Sequence, residues 1–263
     1  MIDNPRKQPA INPIWLGRRF LSIAGALCFI GFWHWLSGLY EPYILPSPFE
    51  VWERFVAIAR QNSLFLEHCA TTFAEALGGF GIAAVIALPL SYWLARHPFL
   101  NQLVTPYIVG IQAIPIVALA PLLIIWFGFG ITAKLLIAAL VAFFPILTNC
   151  TIGLREVEPG LHELLAIMGS KRQQTFWKLE LPAALPYICG GFKLGMTLAV
   201  IGAVVGEFVG AGKGLGYLVN FARGSFDTPL IFVALIALAL MGIGFYAALS
   251  LLETILMPWK RAK

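Results

Sequence analysis

Runs of about 20 mainly apolar residues recur along this chain, at roughly residues 20–40, 71–95, 103–127, 133–153, 187–210 and 229–257. An α-helix needs a segment of that length to cross the hydrocarbon core of a bilayer. The runs are continuous rather than alternating, so helices are expected and barrel strands are not. Only 12% of the residues are charged and 59% are hydrophobic, against about 25% and 45–50% in soluble domains. A soluble fold of this size has no way to hide so much apolar surface, so lipid must be part of the solvent. The expected architecture is an all-α, polytopic membrane helix bundle of about six transmembrane helices, with membrane lipid as a partner.

Arg18 and Arg19 precede the first run. That run is longer than the apolar core of a signal peptide, and no A-x-A site follows it, so it reads as an uncleaved span after a cytoplasmic segment 1–19. Residues 20–263 then form a single transmembrane domain. The short connections fix the orientation. With the N-terminus in the cytoplasm, that side holds Arg6, Lys7, Arg18, Arg19, Arg96, Arg155, Lys171, Arg172, Lys178, Lys260, Arg261 and Lys263. The outer side holds Arg54, Arg60, Lys134, Lys213 and Arg223, and Lys193 falls inside the fifth run. Both termini are therefore expected in the cytoplasm. The net charge of +5 is spread between apolar runs rather than clustered, which argues for topology and against a nucleic-acid partner.

The outer connection 41–70 contains Phe49 to Arg60, where Val51, Phe55, Ile58 and Ala59 recur near helical spacing. A short amphipathic helix at the interface is expected there. Gly191, Gly195, Gly202, Gly206 and Gly210 form a small-residue stripe along the fifth run, suited to close helix contact. Pro89, Pro106, Pro115, Pro121 and Pro145 lie in or beside spans, where proline kinks a helix.

The cytoplasmic connection 154–186 is too polar to span and too patterned to be a slack linker. Leu164, Leu165, Ile167 and Met168 make a short apolar helix, which Gly169 interrupts. Ser170 and Gln173 have the spacing of a capping box for a second helix. Phe176, Trp177 and Leu179 give that helix an apolar side, and Pro182 and Pro186 are expected to end it before the fifth span. This helix–glycine–helix elbow would pack against another protein or against the membrane surface.

The segment resembles the EAA loop of binding-protein-dependent ABC permeases. Glu163, Gly169, Leu179, Leu181 and Pro182 match that pattern, while Leu164 and Leu165 replace its two alanines. Ile44–Pro48, Ala118–Gly130 and Gly206–Gly216 are similar to the nitrate, sulfonate and taurine branch, which also includes transporters of pyrimidine vitamin precursors and riboflavin. The resemblance implies a type I ABC importer permease fold in a bacterial inner membrane. It implies a permease homodimer, separate ABC ATPase subunits that carry the ATP and Mg, and a soluble solute-binding protein. No cofactor is expected on this chain, and it is not expected to be an enzyme. Glu163, Leu164, Leu165, Ala166, Gly169, Leu179, Leu181 and Pro182 would form the ATPase-coupling element.

Other candidates read less sharply. Gly210 to Gly216 lacks the order of a Walker A motif, since Glu207 stands at the first glycine position and Gly214 replaces the Ser or Thr. Glu207, near the outer end of the fifth run, is either a structural partner for a backbone amide or Lys213, or a gate. Glu75 and Lys193 are expected near the interfaces, with Lys193 snorkelling toward the cytoplasm. Trp126, Phe127, Phe129, Tyr217 and Phe221 suit an interfacial belt or a pathway lining, and Glu207, Phe129 and Tyr217 are the pathway candidates. The scattered His and Cys residues have no metal-site spacing. A stand-alone secondary transporter or channel is the alternative. It would show internal repeats and ionisable relays, which are not evident. A membrane-embedded enzyme would need a convergent catalytic set.

Overall fold

A computed structural model describes residues 13–60 and 64–259, and its regular elements there are all helical. The remaining residues, among them Arg6, Lys7, Lys260, Arg261 and Lys263, lie outside the described set. Helix α1 runs Pro13–Ser37, α2 Pro48–Arg60 and α3 Leu64–Arg96. Helices α4 (Pro98–Gln112) and α5 (Ile116–Phe127) follow, then α6 (Ile131–Arg155). The elbow comprises α7 (Pro159–Ile167), α8 (Arg172–Thr175) and a π-helical turn Phe176–Glu180. Helices α9 (Leu181–Gly210), α10 (Leu215–Gly224) and α11 (Thr228–Leu256) complete the chain.

Helix α3, α6, α11 and the continuous helix Arg172–Gly210 are each long and apolar enough to cross a membrane. The third run departs from expectation. It is not one helix but the pair α4 and α5, bent by 90°. Pro115 has no N–H to continue the ladder and disfavours a helical residue before it, and its own ψ of 121° is extended. Helix α1 begins before residue 20, and its apolar stretch among the described residues is Ala24–Ser37, shorter than a full crossing.

Helices α3, α6 and α9 form the core. They meet through small side chains, including Ala76, Ala83 and Ala87 of α3, Ala138 and Ala142 of α6, and Ala199 and Ala203 of α9. In lipid, helices gain little from hiding apolar surface, so association depends on close packing. The α9 glycine stripe supplies it. A Cβ at Gly202 would lie 2.7 Å from the Ala138 Cα, and Gly195 faces Ile146 as closely.

The amphipathic helix expected near Phe49–Arg60 is α2. Ser47 and Glu50 cap it reciprocally: the Ser47 N–H donates to Glu50 Oε2 at 2.7 Å, and the Glu50 N–H to Ser47 Oγ at 3.3 Å. Val51 and Ile58 are buried against Leu218 and Ala222 of α10 and Leu230 of α11. Arg54 Nε donates to Asp227 Oδ2 at 2.7 Å, while Asp227 Oδ1 accepts the Leu230 N–H and caps α11. One carboxylate thus starts α11 and holds α2 to it.

Candidate coupling elbow and distal cavity

Elbow and cavity sit at opposite ends of α9, roughly 45 Å apart along a 30-residue helix. At the elbow end, α7 stops at Gly169, whose φ of +71° is a left-handed conformation. The Ser170 N–H reaches back to Leu165 O and the Gly169 N–H to Ala166 O, which closes the helix end. The second helix then begins one residue later than expected. Lys171, not Ser170, caps it, with its N–H donating to Gln174 Oε1 at 2.9 Å. Ser170 Oγ bonds to Thr175 Oγ1 instead.

Pro182 and Pro186 do not end this helix. The π-helical turn carries the chain past Pro182: the Leu181 N–H skips to Phe176 O, five residues back. The widened turn absorbs the donor that Pro182 lacks, so α8 runs on into α9 as one 39-residue helix. The elbow and α9 are therefore joined without a break in the helix.

The elbow is also fastened to α3. Arg96 Nη2 donates to Glu180 Oε1 at 2.9 Å and to Oε2 at 2.8 Å. The Arg96 guanidinium lies 4.6 Å from the Tyr92 ring centre, and Tyr92 meets Phe176 edge-on. The opposite face of α7 is open, with Leu164 half exposed and Ile167 and Met168 at 85% and 72% exposure.

At the far end, α10 is held by its first amides. Glu207 is 1% exposed. Its Oε1 accepts the Thr72 hydroxyl at 2.6 Å, and its Oε2 accepts the Gly216 N–H. Thr72 Oγ1 also accepts the Leu215 N–H at 2.7 Å, and His68 Nδ1 accepts the Gly214 N–H at 3.0 Å. Gly214 has φ +120°, and a Cβ there would lie 2.1 Å from Glu207 Oε1, so only glycine fits this turn. Glu207 is not bonded to Lys213, which pairs with Glu67. Below it, Lys134 Nζ donates to Glu75 Oε1 at 2.8 Å.

Above Glu207 opens a cavity of about 540 Å³, lined by Phe129, Phe208, Tyr217, Asn220 and Phe221 together with the last turn of α9. Among the described residues, no cluster of three or more His, Cys, Asp or Glu side chains is placed to hold a metal ion.

The profile of the family described as "Binding-protein-dependent transport system inner membrane component" matches residues 87–262. This chain belongs to that family. The permease is 48% identical to the riboflavin transport system permease protein of Chloroflexus aurantiacus over 225 residues, which cover 86% of this chain and 83% of that one. It is 37% identical to the formylaminopyrimidine transport permease protein of Halalkalibacterium halodurans, covering 84% of this chain and 88% of the relative. Its fold matches a chain of the MetNI methionine ABC transporter, solved in inward-facing conformations, with a TM-score of 0.65 at 20% identity over 73% of this chain and 96% of that one. The protein is thus a multi-pass membrane permease subunit of the ABC importer type, with the type I importer permease fold.

The permease brings its sequence candidates together in two groups. Glu163, Leu164 and Ala166 are exposed on α7, Leu165 is half-buried, and Gly169 forms the corner. Leu179, Leu181 and Pro182 lie half-buried where the π-helical turn enters α9. Glu207, Phe129 and Tyr217 border one cavity, while Trp126 and Phe127 do not line it. Lys193 is bound by Ser250 and by Glu253 in the last turn of α11. Sequence reasoning missed Arg96 and Glu180 as a pair, and missed Thr72, His68 and Asn220. The partners lie 84, 135 and 146 positions apart, or across a turn, where no local spacing links them.

Proposed function

We propose that this permease forms half of an ATP-driven importer that admits a small polar solute across a bacterial inner membrane. Two ABC ATPase subunits, which carry the ATP and Mg, dock on the elbow. The apolar tip of α7 carries this reading: Leu164, Ile167 and Met168 are exposed on a frame braced from α3 and continuous with α9. An exposed apolar group on a braced helical elbow suits a protein cleft. Glu163, Leu164, Leu165, Ala166 and Gly169 form the contact, and Leu179, Leu181 and Pro182 pass its movement to the bundle. ATPase closure biases a two-state equilibrium of the helices.

The elbow and both termini face the cytoplasm, and residues 20–263 act as one permease domain. The α10 end faces outward, where a solute-binding protein delivers its cargo. Glu207, Phe129 and Tyr217 mark the outer end of the pathway. A second copy of the chain supplies the other half. Helix α4 supports this, since it contributes no fully buried residue and exposes Leu103, Tyr107, Val109 and Ile111. Riboflavin and formylaminopyrimidine, named for two relatives, are the first solutes to test.

The test is purification of the tagged permease from its own host in mild detergent, with identification of the retained proteins. An ABC ATPase that stays bound to the wild type and is lost from Gly169→Glu supports the reading. A well-folded chain that comes down alone under several mild conditions favours a self-sufficient transporter or channel.

A further inference from the structure

The distal cavity has a chemistry that separates two solute types left open by the sequence, anions on one side and uncharged heteroaromatic compounds on the other. Its volume of about 540 Å³ falls in the range of small-molecule sites. Its walls are aromatic. The Tyr217 ring lies near-parallel to Phe221, with centroids 6.2 Å apart and planes at 27°. His68 braces the same Tyr217 ring at 5.8 Å. Phe129 and Phe208 add two more rings to the lining, at 79% and 45% exposure. Ring faces held this way favour a planar partner.

The polar lining is acceptor-rich. Helix α9 ends at the cavity without a capping N–H among the described residues, so its last carbonyls bring the negative end of the helix dipole there. Asn220 Nδ2 reaches one of them, Phe208 O, at 3.3 Å. Asn220, whose amide also carries an acceptor oxygen, is itself part of the lining. Glu207 lies beneath, with both oxygens already committed to Thr72 and Gly216. Among the described residues, no Lys, Arg or His lines the cavity. Two lysines at this end of the bundle are already paired: Lys213 with Glu67 and Lys134, which packs on Gly206, with Glu75. An anion would meet acceptors and a carboxylate with no cation to balance it.

From this lining we infer that the distal cavity binds an uncharged or cationic planar heteroaromatic solute bearing N–H or O–H donors, and rejects sulfonate and other anions. The inference rests on the importer reading. It adds Asn220, Phe208 and Phe221 to Tyr217 as residues that set specificity: the rings stack on the solute, and Asn220 and the α9 carbonyls take its donors.

The permease is purified with its ATPase and placed in lipid nanodiscs. Riboflavin serves as the uncharged heteroaromatic probe, and its fluorescence falls when it stacks on an aromatic ring. Saturable quenching is expected with the wild type. Tyr217→Leu and Asn220→Ala should each raise the midpoint at least tenfold, and excess ethanesulfonate or taurine should not displace the flavin. Retention of the ATPase and an unchanged size-exclusion profile show that each variant is folded. Absence of saturable quenching, an unchanged midpoint in both variants, or displacement by ethanesulfonate overturns the inference. The importer reading fails separately, by loss of the ATPase from the wild type.

Discussion

Arg96, in the last turn of α3, donates from one nitrogen to both carboxylate oxygens of Glu180, in the π-helical turn that joins the elbow to α9. The side chains are 25% and 10% exposed, so the pair is shielded enough to matter. Surface pairs contribute little, while removing one partner of a shielded pair strands the other. Arg96→Gln or Glu180→Gln should each destabilise the elbow, with a coupling energy of about 1–3 kcal/mol in a double-mutant cycle. The exchanged pair Arg96→Glu with Glu180→Arg should recover part of the loss. The measurement is thermal unfolding of the permease in detergent, alongside ATP hydrolysis and solute uptake by the assembled importer. If the pair fastens the elbow to α3, uptake falls more than hydrolysis does.

Gly169 has open space around its Cα, so a side chain there meets no clash. Its constraint is the left-handed φ of +71°, which costs other residues about 1–2 kcal/mol. Gly169→Ala should loosen the corner and weaken ATPase retention. Gly169→Asn should be milder, because asparagine tolerates this conformation. Gly169→Glu, bulky and charged, should abolish transport while the protein still inserts. Equal ATPase retention in Ala and Asn variants would show that backbone conformation is not what the position supplies.

Helix positions and the elbow were legible because each has a local signal: apolar runs for α3, α6, α9 and α11, and the glycine between α7 and α8. The bend between α4 and α5 was signalled only by Pro115, which could equally have kinked a continuous helix. The elbow's entry into α9 was misread because Pro182 and Pro186 look like stops. A π-helical turn that absorbs a missing donor leaves no mark in composition. The pairs Arg96–Glu180 and Thr72–Glu207 are tertiary, so residue types suggest partners without choosing among them. Lys213 was an equally reasonable partner for Glu207, and the fold gives it to Glu67.

The α9–α6 contact depends on the missing side chain at Gly202. A Cβ there would sit 2.7 Å from Ala138 Cα and 3.1 Å from Ile137 O, both backbone atoms that have no room to yield. Gly202→Val should force α6 and α9 apart and lower the apparent melting temperature in detergent by several degrees, for a loss of roughly 1–3 kcal/mol. Gly190→Ala is the control. It lies on the same helix with nothing within 4 Å of the added carbon, and it should leave melting unchanged or slightly raised through better helix propensity.

At the far end, Glu207 and Thr72 together hold the first amides of α10. Glu207→Ala leaves the Gly216 N–H without its buried acceptor and takes the nearer of the two acceptors of the Thr72 hydroxyl, the other being His68 O at 3.3 Å. Thr72→Val removes the acceptor of the Leu215 N–H. A stranded buried donor costs about 1–3 kcal/mol, which corresponds to roughly ten- to hundredfold faster opening. Amide hydrogen exchange at Leu215 and Gly216 should accelerate by that factor in either variant, while amides in the middle of α6 keep wild-type protection. Acceleration confined to α10 makes the cluster a local anchor for this helix. Equal acceleration throughout α3, α6 and α9 would instead make it part of the bundle's common core. Unchanged exchange at Leu215 and Gly216 would mean that α10 is held by its apolar contacts with α2 and α11, and that the carboxylate serves another purpose.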